Sequence, residues 1–363
     1  MNVAVLGAGN GGCAASADLS QRGFNVNLFE SQDFEQNIRP IAERNAVQFE
    51  GAIGTGLAQL KTVTTNIREA VGDADLVMVV TPAFAHNILA KRIAPYLHDQ
   101  PVILNPGHTG GAISFALALK DNGFKGTIRI GETMVLTYIC RLLEPGHVKV
   151  FHVMKKLLFS AFPSRYTDEL YDAFKELYPS IVRGRNALET GLTNLGAIMH
   201  SPGMLLNSGW IERTKGEFKF YFEGITPSVA RVVQGLDDER LRLIEAVGLK
   251  PVPATEWYYL QGCTPLRTDS IYEAFQAGGP DQYLKAPSSL DHRYVVEEVN
   301  FGLVPMASIG RQLGVPTPNM NALITIASTV GHRNFWDEGL TTEKLGMAGL
   351  SLENLNRFLS EGP

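Results

Sequence analysis

Cysteine is scarce: Cys13, Cys140 and Cys263 are the only three in 363 residues. An odd, scattered set is neither a disulfide framework nor a metal-finger spacing. No metal site is therefore predicted, and a reducing, cytoplasmic compartment is expected. A basic excess is also missing. Lys+Arg number 32 against 37 Asp+Glu, for a net charge of -5. That argues against a general affinity for nucleic acid, which needs cations to neutralise phosphates. No apolar run approaches the roughly 18 to 20 residues that span a bilayer. The longest candidates, Leu76 to Val80 and Val135 to Cys140, are strand-sized. No basic leader precedes the strand-like run Asn2-Val3-Ala4-Val5-Leu6, so no targeting segment is expected.

What is present is globular. The chain is 45% hydrophobic and 19% charged, and its length predicts two domains, each with its own core. The first half alternates strands with helices. Asn2 to Leu6 is apolar on both faces, as a buried parallel strand should be. Asn25 to Phe29, Leu76 to Val80, Val102 to Leu104 and Thr127 to Ile130 read as further buried strands. Helical stretches at Cys13 to Arg22, Ala83 to Tyr96 and Gly111 to Lys120 lie between them. Val135 to Arg141 and His147 to Val153 read as antiparallel additions around Glu144-Pro145-Gly146. From about Ala187 strand signals fade and helical spacing takes over. The predicted fold is α/β: a Rossmann-type parallel-sheet domain over 1–185, then an all-α domain over 186–363.

Gly7-Ala8-Gly9-Asn10-Gly11-Gly12 fits G-x-G-x-x-G at Gly7, Gly9 and Gly12, directly after a strand and opening a helix. Gly7 permits the turn, Gly9 admits a pyrophosphate, and Gly12 lets helix and strand pack closely. The helix N-terminus offers free N–H groups to the phosphates. Glu30 ends the second strand, 23 positions after Gly7. A carboxylate there can accept from both ribose hydroxyls of NAD and repels the extra phosphate of NADP. Ser31-Gln32-Asp33 supplies no Arg for that phosphate. The expected cofactor is NAD, with NADP as the alternative.

Two loops follow strand ends, where such sheets bind ligands. Thr81 and Pro82 open the first, which is expected near the nicotinamide side; it ends at His86. The second is Asn105-Pro106-Gly107-His108-Thr109-Gly110-Gly111, whose glycines could form a nest of N–H groups for a substrate carboxylate. Ordinary turn and cap chemistry explains both loops as well.

A nicotinamide enzyme needs a proton donor, and histidine suits neutral pH. Leu188, Leu192, Leu195 and Met199 mark one apolar helical stripe. His200 follows, and Ser201-Pro202-Gly203 is expected to break the helix there. A polar side chain at such a break can point into a cleft; a core histidine bonded to a backbone carbonyl is the equal alternative. Farther on, Arg293 could hold a carboxylate bidentately. It also stands four residues before Glu297, a common surface pair on a helix, which is the simpler reading of the spacing.

Taken together, these pieces resemble the opine dehydrogenase family, of octopine and nopaline type. The resemblance spans nearly the whole chain. It rests on Gly7 to Gly12, Asn105 to Gly111, Glu132-Thr133 and Tyr138-Ile139-Cys140-Arg141. It continues in Met199-His200-Ser201-Pro202, Tyr221 to Ser228 and Arg293-Tyr294-Val295-Val296-Glu297-Glu298. It implies a Rossmann domain joined to a helical domain, and reductive condensation of an amino acid's amino group with an α-keto acid. It implies His200 as the acid/base, Glu298 as its partner and Arg293 as the grip on the keto-acid carboxylate. Glu298 stands where the family pattern ends in Asp, one methylene longer. Cys140 matches a position lining the amino-acid pocket. Asn105, Gly107, His108 and Thr109 would contact substrate, and His108 departs from the side chain expected there.

Two alternatives remain. A ketopantoate reductase or glycerol-phosphate type of dehydrogenase shares the fold plan, but it usually uses a Lys acid, and no Lys here is as suggestively placed. A dinucleotide-binding protein without catalysis is the other. Small-molecule substrates are expected, with no nucleic acid or membrane partner, in a monomer or homodimer.

Overall fold

A computed structural model describes all 363 residues. Twelve strands form two sheets. The first runs β12-β11-β8-β7-β6-β1-β2-β5 and the second β4-β3-β10-β9. The strands are β1 (Asn2–Leu6), β2 (Asn25–Phe29), β3 (Ala46–Gly51), β4 (Gly56–Gln59), β5 (Thr62–Thr64), β6 (Leu76–Val79), β7 (Val102–Leu104), β8 (Ile130–Thr133), β9 (Tyr138–Glu144), β10 (His147–Val153), β11 (Leu157–Phe162) and β12 (Ile181–Arg183). Strands β5-β2-β1-β6-β7-β8 are parallel throughout, in the order of a dinucleotide-binding sheet. β11 adds antiparallel to β8 and carries β12. Val3, Ala4, Val5 and Leu6 are wholly buried, because helices cover both faces of the central strand.

The first helices are α1 (Asn10–Gln21), α2 (Glu35–Arg44), α3 (Ile67–Val71), α4 (His86–Ile93), α5 (Gly111–Asp121) and α6 (Thr167–Leu177). The remainder are α7 (Ala187–Leu192), α8 (Leu195–Leu205), α9 (Ser208–Thr214), α10 (Pro227–Ala246), α11 (Ala254–Leu260), α12 (Ile271–Gln276), α13 (Arg293–Glu298), α14 (Val304–Leu313), α15 (Pro318–Val330), α16 (Phe335–Glu338) and α17 (Leu352–Glu361). A π-helical turn, Val299–Leu303, joins α13 to α14.

The chain divides into two compact units. Unit 1 holds 1–107, 111–187 and 360–362; unit 2 holds 108–110, 188–359 and Pro363. Both sheets lie in unit 1. Unit 2 is helical, with one isolated bridge between Lys219 and Lys285. No helix is long and apolar enough to cross a membrane.

Several expectations needed correction. The strand expected at Thr127 to Ile130 lies at Ile130–Thr133, since its buried Glu132 interrupts the apolar pattern that marks a strand. The helix expected from Ala83 begins at His86, after a separate 3-10 turn at Ala83–Ala85. Ser201-Pro202-Gly203 does not end a helix: Pro202 lies inside α8. The ring removes one N–H and costs up to ~3 kcal/mol, but Ser201, Gly203, Met204 and Leu205 are all buried around it, and that packing holds the helix through. The break falls earlier, at Thr193-Asn194, where the Asn194 side chain accepts from Gly196 N at 3.1 Å and caps α8.

Candidate active site

In unit 1 the glycine-rich turn joins β1 to α1. Gly7 has φ +115°, and a Cβ there would fall 2.6 Å from the carbonyl oxygen of Val80. A Cβ on Gly12 would fall 1.7 Å from the Gly7 oxygen, so helix and turn close on each other only with glycine at both positions. Around Gly9 no atom lies within 4 Å of a built Cβ, which leaves that face open. No side chain caps α1, whose first N–H groups therefore remain for a ligand. The Asn10 side chain turns away and accepts from Leu142 N at 2.7 Å. Gly11 packs against Val80 and Leu136. The Thr81 hydroxyl, beside Gly7, is buried and makes no hydrogen bond within the protein. Pro82 caps the short turn that follows.

Glu30 closes this turn from below. Its Oε2 accepts from Ala8 N at 2.9 Å and its Oε1 from Ser31 N at 2.8 Å. Burial pushes its carboxyl above the ordinary range, against the pull of those two bonds. Each oxygen keeps a second lone pair for a ribose hydroxyl. Open Gly9, uncapped N–H groups, an unbonded Thr81 hydroxyl and a carboxylate at the end of β2 together fit a dinucleotide. Sequence spacing missed Arg92. It comes from α4, donates to Ser31 Oγ at 2.8 Å and stands 3.6 Å from Asp33. It lies 62 positions from Glu30 in sequence, and only the fold brings it to this turn.

The loop after β7 differs from an open anion nest. Asn105 is wholly buried, and its side chain bonds Thr133 and Thr137 at 2.8–3.1 Å. The Gly107 N–H is given to Thr133 O, and the Ala112 N–H to Glu132 Oε2 at 2.9 Å. A Cβ on Gly107 would fall 2.2 Å from that oxygen. Within this loop the protein's own Glu132 accepts one of the N–H groups. Cys140 is buried on β9, and its sulfur helps raise the pKa of the buried Cys13 thiol, chiefly a burial effect. His86, also buried, stands edge-on to Phe115, 6.4 Å between centroids.

Unit 2 holds two histidine–glutamate pairs. Its π-helical turn packs tightly on α8, since a Cβ on Gly302 would fall 2.4 Å from Ala197 Cβ. Such turns often mark functional positions. His200, in the second turn of α8, bonds Glu298 Oε1 through Nδ1 at 2.7 Å. Glu298 therefore spans the distance despite its extra methylene. Nε2 lies 2.7 Å from the Tyr221 hydroxyl, and the ring stacks on Tyr294 at 3.8 Å and 7°. Both ring nitrogens of His200 are thus engaged, Nδ1 by a carboxylate and Nε2 by a phenol hydroxyl. Arg293 lies over the same Tyr294 ring, 5.6 Å from its centroid, and bonds Glu297 at 3.3 Å.

Glu297 and Glu298 are consecutive, so their side chains leave α13 about 100° apart. Glu298 takes His200; Glu297 takes His108, whose Nε2 is 3.0 Å from Glu297 Oε1. His108 Nδ1 is 3.3 Å from the Asn194 amide. Burial alone would lower the His108 pKa, but Glu297, with Glu298 behind it, outweighs that and holds it raised. The neighbouring Thr109 is fixed, its N–H on Phe301 O at 2.9 Å and its hydroxyl on Gly191 O at 2.8 Å. Pro305 has no N–H to offer the Phe301 carbonyl four residues back, which leaves that oxygen for Thr109.

Tyr221 and Tyr294 were not expected in this cluster. The signal for Tyr221 lay in the turn it opens. Gly224 lets the chain fold back, since a Cβ there would fall 2.4 Å from Phe220 O. Thr226-Pro227 then caps α10.

Residues 183–330 match the family described as NAD/NADP octopine/nopaline dehydrogenase, alpha-helical domain. Residues 2–109 match the NAD-dependent glycerol-3-phosphate dehydrogenase N-terminus. An opine dehydrogenase of Arthrobacter sp. (strain 1C) is 37% identical over 350 residues, covering 96% of both chains. Vitopine synthase of Allorhizobium ampelinum is 23% identical, again over 96% of both. A solved octopine dehydrogenase superposes with TM-score 0.79 at 19% identity over 99% of this chain and 98% of the other. A ketopantoate reductase from Ralstonia eutropha superposes with TM-score 0.62 at 19% identity, covering 92% of this chain and 99% of that one. At 37% identity across nearly its full length, the chain belongs to the opine dehydrogenase family.

Proposed function

We propose that this protein condenses the amino group of an amino acid with an α-keto acid and reduces the product to a secondary amine, using NAD(P)H. The observation that carries the reading is His200 held between Glu298 and Tyr221, with Arg293 on the helix that supplies Glu298. Solved octopine dehydrogenases of the same fold include complexes with NADH and L-arginine, agmatine or pyruvate. Unit 1 is the dinucleotide-binding domain and unit 2 the substrate domain. Gly7 to Gly12, Glu30, Thr81 and Pro82 hold the cofactor, which supplies the hydride when bound. With only three cysteines, all of them buried, the protein suits a reducing compartment, the cytoplasm.

The remaining steps fall to side chains. Arg293 pairs with the keto-acid carboxylate and fixes the electrophilic carbon, which turns a collision of separate reactants into an oriented encounter. The amine adds to that carbon. One proton of the added amine passes to the former keto oxygen, His200, as imidazolium, gives its Nε2 proton to the resulting hydroxyl, and water leaves an iminium that takes up the hydride. Glu298 stabilises the imidazolium and fixes the ring, as the acid of a triad does. Tyr294 buttresses the ring from its face.

The test is NADH oxidation with pyruvate, with and without a panel of amino acids, followed by mass measurement of the product. Amine-dependent oxidation giving an N-(carboxyalkyl) amino acid is expected. Equal oxidation without any amine would instead make the protein a ketone reductase. His200→Ala should nearly abolish turnover while leaving NADH affinity intact; a near-normal rate would remove His200 from the mechanism.

A further inference from the structure

Two histidine–glutamate pairs grow from adjacent residues of α13, and the mechanism uses only one. The second is buried: His108 and Glu297 have side chains 6% and 1% exposed. Glu297 has two oxygens, and each faces a different cation. Oε1 is 3.0 Å from His108 Nε2, and Oε2 is 3.3 Å from Arg293 Nη1. Arg293 is the most open of the three, 41% exposed. His108 is held in the left-handed region, φ +60°, a conformation uncommon outside glycine. The backbone of Thr109, tied to Phe301, fixes it there.

We propose that Glu297 is a counter-ion shared between His108 and Arg293, and that protonation of His108 frees Arg293 to bind the substrate carboxylate. His108 is then a positioning residue that sets keto-acid affinity without touching the reacting carbon. The inference rests on the role given to Arg293 above. Its physical basis is charge. With His108 neutral, Glu297 and Arg293 cancel. With His108 protonated, the trio carries one net positive charge, and an anion meets an uncompensated guanidinium. Low dielectric around the buried pair makes that difference larger than it would be in water.

The groups facing His108 are few. From α13 come Glu297, Glu298 and Arg293. Glu298 hydrogen-bonds His200 and stays in place whichever form His108 takes. The α8 terminus offers neutral Asn194. Gly191 of α7 packs on the backbone of His108 to Gly110, the π-helical turn gives the Phe301 carbonyl, and Leu345 packs against Gly110; none of these titrates. The raised His108 pKa is the direction the proposal requires at neutral pH.

The experiment is the pH dependence of kcat and of the keto-acid KM, measured separately with saturating amine and NADH. KM should rise about tenfold as pH increases through the His108 titration, while kcat follows a separate profile. His108→Gln cannot carry charge, so its KM should sit at the high-pH value throughout while kcat keeps its inflection. Glu297→Gln should instead hold KM low and flat. Ring-15N histidine spectra of the full chain give a readout independent of turnover. The signal lost in His108→Gln should titrate above about 6.5 in the parent. If Glu297→Gln fails to fold, the His108→Gln profile and the parent titration still decide. A pH-independent KM in the parent, or a parent-like profile in His108→Gln, overturns the proposal. Absence of any amine-dependent turnover in the parent would overturn the functional reading itself, a different result.

Discussion

Glu298 lies against the bare Cα of Gly196: a Cβ there would fall 2.6 Å from Oε1, the oxygen that bonds His200. Glycine in the first turn of α8 costs about 1 kcal/mol of helix stability relative to alanine. Gly196→Ala should therefore leave the thermal midpoint unchanged or higher while pushing Glu298 off His200. A kcat fall of about a hundredfold is expected, the scale of losing an oriented acid/base. Melting curves and steady-state rates on one preparation check it. An active, stabilised variant would show that the carboxylate has slack the structure does not display.

Tyr221 provides a second probe of the same ring. Tyr221→Phe removes the hydroxyl from Nε2 and keeps the stack on Phe275, 5.8 Å between centroids. Turnover should fall roughly tenfold, the worth of one such bond, with a displaced pH profile. Glu298→Gln should shift that profile too, because a neutral partner no longer favours the imidazolium. If both variants keep the parent profile, another group sets the titration.

Much of this was legible in the sequence because its signals are local. The glycine turn, the run of β1 and the acid after β2 follow from neighbouring residues. His200 and Glu298 were named through family resemblance, but nothing in the spacing of residues 98 apart predicts a 2.7 Å bond. The second sheet was half-read. β9 and β10 alternate around a clear turn, whereas β4 is four residues long with Leu57 exposed, and neither feature signals a strand. The surroundings of Asn105 and Gly107 were not legible for a related reason. A polar loop at a strand end looks the same whether a ligand or the protein's own Glu132 satisfies it. The helix expected to stop at Pro202 runs on because burial, a tertiary effect, outweighs local propensity.

Glu30 separates two roles by its two oxygens. Glu30→Ala deletes the acceptor for Ala8 N, which should weaken both dinucleotides alike, and the ribose acceptor, which matters to NADH alone. NADH affinity should fall at least tenfold more than NADPH affinity, about 1.4 kcal/mol. Arg92→Ala should act in the opposite sense, because a guanidinium near Ser31 favours an added phosphate. Titrations of cofactor fluorescence for both variants test this, and equal losses would remove the 2′-hydroxyl role from Glu30.

Asp281 links stability to pH in the sense opposite to most carboxylates. It is buried, accepts from the Tyr258 hydroxyl, and burial pushes its pKa from 3.8 up to about 6. An unfolded chain gives up this proton near 3.8, while the folded one keeps it until about 6. Between those values the unfolded state binds fewer protons, so stability is fully present below the first and lost as pH rises through the second. At ~1.4 kcal/mol per pKa unit the ceiling is about 3 kcal/mol. Asp281→Asn cannot ionise and keeps an oxygen for Tyr258. Its urea midpoint should gain on the parent as pH rises from about 4 to about 7 and run parallel above that. A gap that stays constant across this window would mean that Asp281 is ionised in the fold and that its bond to Tyr258 compensates its burial.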